Sequence, residues 1–101
     1  MTVPTIYNET LAVADQEYDV TLPANTLRYD IQCRDAQVVR FAFETGKVAT
    51  PTEPYATLKA GSSFASDHLP QRIAVVDAGI VLYFASSTAG AVVEVIAHPR
   101  T

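Results

Sequence analysis

Between Glu17 and Ala97, apolar and polar residues alternate in short runs, each cut off by Pro, Gly, Asn or Asp before it reaches helix length. Successive side chains on an extended strand point to opposite faces, so each such run is a strand with a buried face. EYDVTL, TLRYDIQC, QVVRFAF, GIVLYFAS and AVVEVIA are the clearest, and Tyr55–Lys59, SSFAS and Arg72–Val76 read as shorter ones. Strands at this spacing, with no helical segment between them, leave an all-β domain of two packed antiparallel sheets. An immunoglobulin-like arrangement lacks its Cys…Trp…Cys core, because the chain has 1 cysteine and no tryptophan. The expected architecture is therefore a jelly-roll-like β-sandwich.

Turn chemistry marks the boundaries. Pro23-Ala24-Asn25 combines a preset φ with a residue that tolerates left-handed backbone, and Asp77-Ala78-Gly79 has hairpin composition. The loop Thr45–Pro54 carries Gly46, Pro51 and Pro54, and prolines cannot donate to a ladder, so it lies outside the sheets. Residues 1–15 hold Pro4 and alternate only weakly. They are expected to form an N-terminal arm or edge strand, reaching over a neighbouring subunit, ahead of a β-sandwich domain at 16–101.

Only 18% of the chain is charged, against 49% hydrophobic, where an average soluble domain is roughly 25% charged. So small a domain with so little charge leaves apolar surface for a partner. The strand Gly79–Ala85 points the same way: Ile80, Leu82 and Phe84 share one face, Val81 and Tyr83 the other. A strand apolar on both faces needs cover on both, and one cover is expected from another subunit. The expected state is a homo-oligomer, most plausibly a trimer. A net charge of −4 with scattered Lys and Arg argues against nucleic acid as a partner. No apolar run approaches the roughly 18 residues of a membrane helix, and MTVPTIYNET lacks the pattern of a secretory signal.

No catalytic or cofactor motif emerges, so the chain does not read as an enzyme and no cofactor is expected. Cys33 lies on the face of Leu27, Tyr29 and Ile31 and reads as a reduced core thiol. His68 and His98 read as surface loop residues, since a metal needs three or four converging ligands and no ligand spacing supplies them. Ser62-Ser63 and Ser86-Ser87 read as turn residues, not nucleophiles. Asp30 shares a face with Arg28 and Gln32, and a cross-strand pair with Arg40 is its expected role. Glu94 is odder. Its face neighbours Val92 and Ile96 are apolar, so its carboxylate needs a partner, and it reads as a contact or register residue. Among the tyrosines, Tyr7 and Tyr55 lie outside the strongest strands and Tyr83 sits on the two-faced strand. Tyr7, Tyr55, Tyr83 and Glu94 are thus the candidate interface residues.

The segments YDVTLPANTLRYDIQCRDAQVVRFAFETG, EPYATLKAGSSFASDHL and GIVLYFASSTAGAVVEVIAHPR resemble small structural proteins of tailed bacteriophage virions. That resemblance spans about residues 18–100 and rests on strand-and-turn patterns, so it carries no site residue across. It implies a β-sandwich capsid decoration (cement) or head-tail accessory protein. Such a protein binds the major capsid protein or other virion proteins, resides in the virion and assembles in the host cytoplasm. A carbohydrate-binding or host-attachment module of the virion is the alternative.

Overall fold

The alternating runs become strands in the computed structural model, which describes residues 3–67 and 80–99. The strands are β1 (Thr5–Leu11), β2 (Tyr18–Thr21), β3 (Thr26–Cys33), β4 (Val39–Ala42), β5 (Ala56–Leu58), β6 (Ser63–Ala65), β7 (Val81–Ala85) and β8 (Ala91–Pro99). The segment Arg72–Val76, the turn Asp77-Ala78-Gly79 and His68 lie outside the described residues.

Two antiparallel sheets of four strands form, in the orders β1-β8-β3-β6 and β2-β7-β4-β5. The pairs β1–β8, β2–β7, β3–β6 and β4–β5 run the first half of the chain beside the second half in reverse. Rolling that doubled ribbon up sends successive pairs to alternate sheets, which is the jelly roll. The expected fold class is the observed one. Each connection among the first four strands crosses between sheets and needs a tight reversal. Asp15 (φ 55°), Asn25 (φ 69°) and Ala36 (φ 54°) take left-handed backbone at those three crossings. Asp and Asn tolerate that conformation; Ala does not gain from it.

The core lies between the sheets. On β8 the alternation is strict, with Ala91, Val93, Val95 and Ala97 buried. They meet Leu11, Ile31, Leu82, Phe84 and Val39 from four other strands, and Cys33 packs half-buried against this cluster, as its face predicts.

Three expectations are corrected. First, Thr5–Leu11 does not reach over a neighbour. It pairs residue by residue with β8 of its own chain, and Leu11 is fully buried, so of the two expected alternatives, arm or edge strand, this segment is the edge strand. Pro4 sits just before the strand, where a missing N–H breaks no ladder bond.

Second, the cover over the outer face of β7 near Tyr83 comes from the chain itself. The loop Thr45–Pro54 stays outside the sheets but folds back, burying Val48 against Ala42 and Ala85 with Tyr55 and Tyr83 alongside. Third, Asp30 and Arg40 belong to different sheets and do not pair. Arg40 is the loop's fastener: its Nε donates to the Val48 carbonyl at 2.8 Å and its Nη2 to Asp15 at 2.8 Å. Glu17 holds the same loop from the other end, accepting from the Thr45 hydroxyl at 2.7 Å and the Gly46 amide at 2.8 Å.

Candidate functional site: an aromatic seam between two short edges

Contacts between β1 and β2 close one side of the sandwich. The other side is bordered by β5 and β6, each only three residues long. Phe41, on the inner face of β4, lies opposite Phe84 on one side but opposite only the small, exposed Ala56 on the other. With so little from β5 to cover it, Phe41 packs sideways against other rings. Its centroid is 5.3 Å from that of Phe64 on β6 and 6.4 Å from that of Phe43, whose plane stands at 86° to it. Phe64 in turn lies 6.1 Å from Tyr29. These are the tilted and edge-on distances at which aromatic pairs attract beyond simple burial.

The row runs from the end of one sheet to the edge of the other. Its inner members, Phe41 and Tyr29, are buried, and its outer members are not: Phe43 is 57% exposed and Phe64 36%. Phe43 continues into a surface hollow of about 170 Å³ walled by Phe41, Pro54, Tyr55 and Ala56, with Glu44 at its rim. Single exposed hydrophobes are ordinary, but exposed rings joined through a shared buried ring make a patch of the kind that marks an interface. Burial pushes the Tyr29 phenol up to about 12.

The outer face of β1-β8-β3-β6 mixes Ile6, Val92 and Ile96 with charged groups that answer one another's needs. Glu94 lies opposite Gln32 in the β3–β8 register. It accepts from Gln32 Nε2 at 2.8 Å and from Arg34 Nε at 2.9 Å. The Gln32 and Arg34 hydrogen bonds hold its carboxyl below the usual range. Asp30 accepts from Arg28 at 3.0 Å and lies 2.8 Å from His98 Nε2. His98 therefore sits on β8 in a cross-strand pair, which corrects the reading of it as a loop histidine. Its alternation gave the signal, since AVVEVIAHP continues the period of the strand to Pro99.

The four candidate interface residues do not converge. Tyr7 packs at the β1 edge against the main core, and Tyr83 lies under the loop. Glu94 is spent on its own neighbours. Only Tyr55 borders the seam. Phe43 and Phe64 were missed: the alternation of QVVRFAF puts Phe43 on one face with Val39 and Phe41, but β4 ends at Ala42. The available signals were Glu44-Thr45-Gly46 directly after Phe43, and a lone large ring among the small polar residues of SSFAS. Ser86 is buried and serves its turn, donating to the Val38 carbonyl at 2.8 Å and accepting from the Thr88 amide at 3.1 Å. Among the described residues no three His, Cys, Asp or Glu side chains converge as metal ligands, and no helix is long and apolar enough to cross a membrane.

No protein-family model matches the sequence. No curated protein matches it either. Among solved structures, a de novo designed double-stranded β-helix determined by solution NMR is similar, with a TM-score of 0.51 at 18% identity. The match covers 95% of this chain and 97% of that one, so the likeness is one of fold and extends over the whole domain.

Proposed function

We propose that this chain is a virion structural protein, a decoration or cement protein that binds the major capsid protein or another virion protein and stabilises the particle. The observation that carries the reading is the aromatic seam, in which Phe43 and Phe64 are held exposed on a rigid sandwich by one buried ring. Low charge and the resemblance of its strand-and-turn segments to phage structural proteins support the same reading. Aromatic anchors in a desolvated pocket dominate protein–protein affinity. Repeated copies on a symmetric particle then multiply a modest contact, because each added engagement is intramolecular. No bond is made or broken, and the role needs no cofactor.

The test is binding of Phe43→Ser/Phe64→Ser protein to purified capsids of the virus that encodes it. Each ring contributes roughly 1.5–3 kcal/mol when buried, so losing both is expected to weaken attachment at least tenfold, about 1.4 kcal/mol or more. Phe43 is mostly exposed, so its loss is expected to change thermal unfolding little. Phe64 packs on Phe41 and Tyr29, so its loss is expected to lower the melting temperature, and binding is compared at a temperature where both proteins remain folded. Undiminished capsid binding by this variant would remove the seam as the contact, and wild-type protein that ignores capsids and tails alike would remove the function.

A further inference from the structure

Four strands have an outer edge that pairs with nothing among the described residues: β1 and β6 in one sheet, β2 and β5 in the other. The edges of β5 and β6 are three residues long and that of β2 is four, whereas β1 has seven. A long edge accepts another strand unless Lys, Pro or a bulge interrupts it. Inside TIYNETL there is no Lys, Arg or Pro, and the register against β8 runs unbroken from Thr5↔Ala97 to Leu11↔Ala91.

The ladder fixes which groups face outward. Arg34 N donates to the Val92 carbonyl at 2.9 Å, continuing the β3–β8 register one step beyond Cys33↔Val93. Hydrogen-bonding direction alternates along an antiparallel strand. Even-numbered residues of β8 therefore bond to β3 and odd-numbered ones to β1. Through Tyr7↔Val95 and Glu9↔Val93, the odd residues of β1 bond inward, which turns the N–H and C=O of Ile6, Asn8 and Thr10 to the free edge. On the outer face Ile6 is 63% exposed beside Ile96.

We propose that this edge pairs antiparallel with the same edge of a second copy of the chain, about a twofold axis through Asn8, joining two four-stranded sheets into one. The sequence selects that register. Outward groups must meet outward groups, so even residues pair with even ones. Centred on Asn8, each Asn amide meets its mate and can both donate and accept. Ile6 then lies opposite Thr10 of the second copy, and Tyr7 opposite Glu9, a phenol donor beside a carboxylate.

Centring on Tyr7 sets Thr10 against Pro4, which has no N–H to give. Centring on Glu9 sets carboxylate against carboxylate, a destabilising pair. Only the Asn8 register satisfies all three outward residues on both chains. The contact is twofold rather than threefold, and it lies away from the seam at β5 and β6, so it stands or falls separately from the capsid reading.

Sedimentation equilibrium tests it. Wild-type protein is expected at twice the 10.9 kDa of one chain. Asn8→Asp and Asn8→Lys each place like charges on the axis, and each is expected to weaken self-association at least about tenfold. An equimolar mixture of the two restores the dimer, because Asp then faces Lys. A hydrogen-bonded antiparallel pair has Cα atoms about 5.5 Å apart, within disulfide reach. Oxidised Asn8→Cys/Cys33→Ser protein is thus expected to cross-link, while Ile6→Cys/Cys33→Ser does not. Phe43→Ser is expected to remain dimeric. A monomeric wild type, a dimer indifferent to both Asn8 charges, no rescue on mixing, or cross-linking at Ile6 instead of Asn8 would each overturn the proposal. A monomer would leave the edge to a strand of another protein.

Discussion

The two outer faces of this sandwich meet the same problem in opposite ways. A sheet whose inner side makes the core still has an outer side, and this chain has too few charges to clothe both in water-loving groups. On β1-β8-β3-β6 the solution is a ladder of cross-strand polar pairs in contact with solvent. On β2-β7-β4-β5 it is a lid of the chain's own loop, with Val48 as a miniature core and Arg40 as the fastener. Burial separates the two energetically. The Arg40 side chain is 13% exposed and its partners include backbone carbonyls, whereas Arg34, which holds Glu94, is 51% exposed. An ion pair in water contributes little, while a shielded donor that satisfies otherwise idle carbonyls contributes much more. The lid is therefore expected to hold the fold together and the polar ladder to trim it.

Arg40→Ala should show the largest effect. It strands the Val48 carbonyl and a second carbonyl, that of Ala49 at 3.4 Å, under the loop, at a cost of roughly 1–3 kcal/mol for each unsatisfied group. A loss of about 3 kcal/mol in urea unfolding is expected, and Arg40→Lys should recover little of it, since one ammonium cannot span the guanidinium's acceptors. If Arg40→Ala costs no more than Glu94→Gln, the contrast between the faces is broken.

Val48→Ala comes next. It removes two methyl groups from a fully buried site, worth about 0.8 kcal/mol each, hence about 1.5 kcal/mol. The same substitution should loosen the loop before the rest of the fold, so the Gly46 amide is expected to lose hydrogen-exchange protection ahead of the β8 amides. Simultaneous loss across both would mean that lid and sandwich are one cooperative unit.

Most of the sandwich could be read from period alone because strand faces are a local property: TLRYDIQC and AVVEVIA show their buried sides without reference to anything distant. Strand number and spacing gave two packed sheets, and the missing Cys…Trp…Cys core favoured a jelly roll, but the strand order itself appears only in the pairing. What escaped was partnership. Arg40 looked like a strand residue awaiting Asp30, yet its carboxylate is Asp15, 25 positions away and on a connection between sheets. Glu94 announced that it needed a partner, but Gln32, 62 positions distant, is identified only by the β3–β8 register. Val48 is the one large aliphatic residue in a loop of prolines and threonines, and no period marks such a residue as core. The seam escaped for a related reason. Phe43 continues the alternation of β4, and only the early end of that strand at Ala42 puts its ring outside. Pro4 disfavours a central strand at Thr5–Leu11 but leaves both an arm and an edge strand open, and only the pairing with β8 decides for the edge strand.

The smallest effects belong to two glutamates on one sheet, and they should have opposite signs. Glu94 faces outward, where Gln32 and Arg34 hold its folded-state pKa below the ordinary value. Its stabilisation is complete above the unfolded pKa, roughly 4.3, and is lost as pH falls through the lower folded value. Glu9 is on the inward side of the β1 edge, where burial, and then the charge of Asp19, push its pKa up. Its ionised form is disfavoured by folding, so it costs stability above the folded pKa, and that cost disappears as pH falls below the unfolded value. At neutral pH, Glu94→Gln is therefore expected to lower the melting temperature slightly and Glu9→Gln to raise it. Both differences should fade in acid, that of Glu9→Gln first, because its titration lies at the higher pH. Thermal melts of the three proteins across the acid range check this directly. Should both variants shift stability in the same direction at neutral pH, the local partners on each side of the sheet do not control these carboxylates, and the polar face owes its order to the backbone ladder alone.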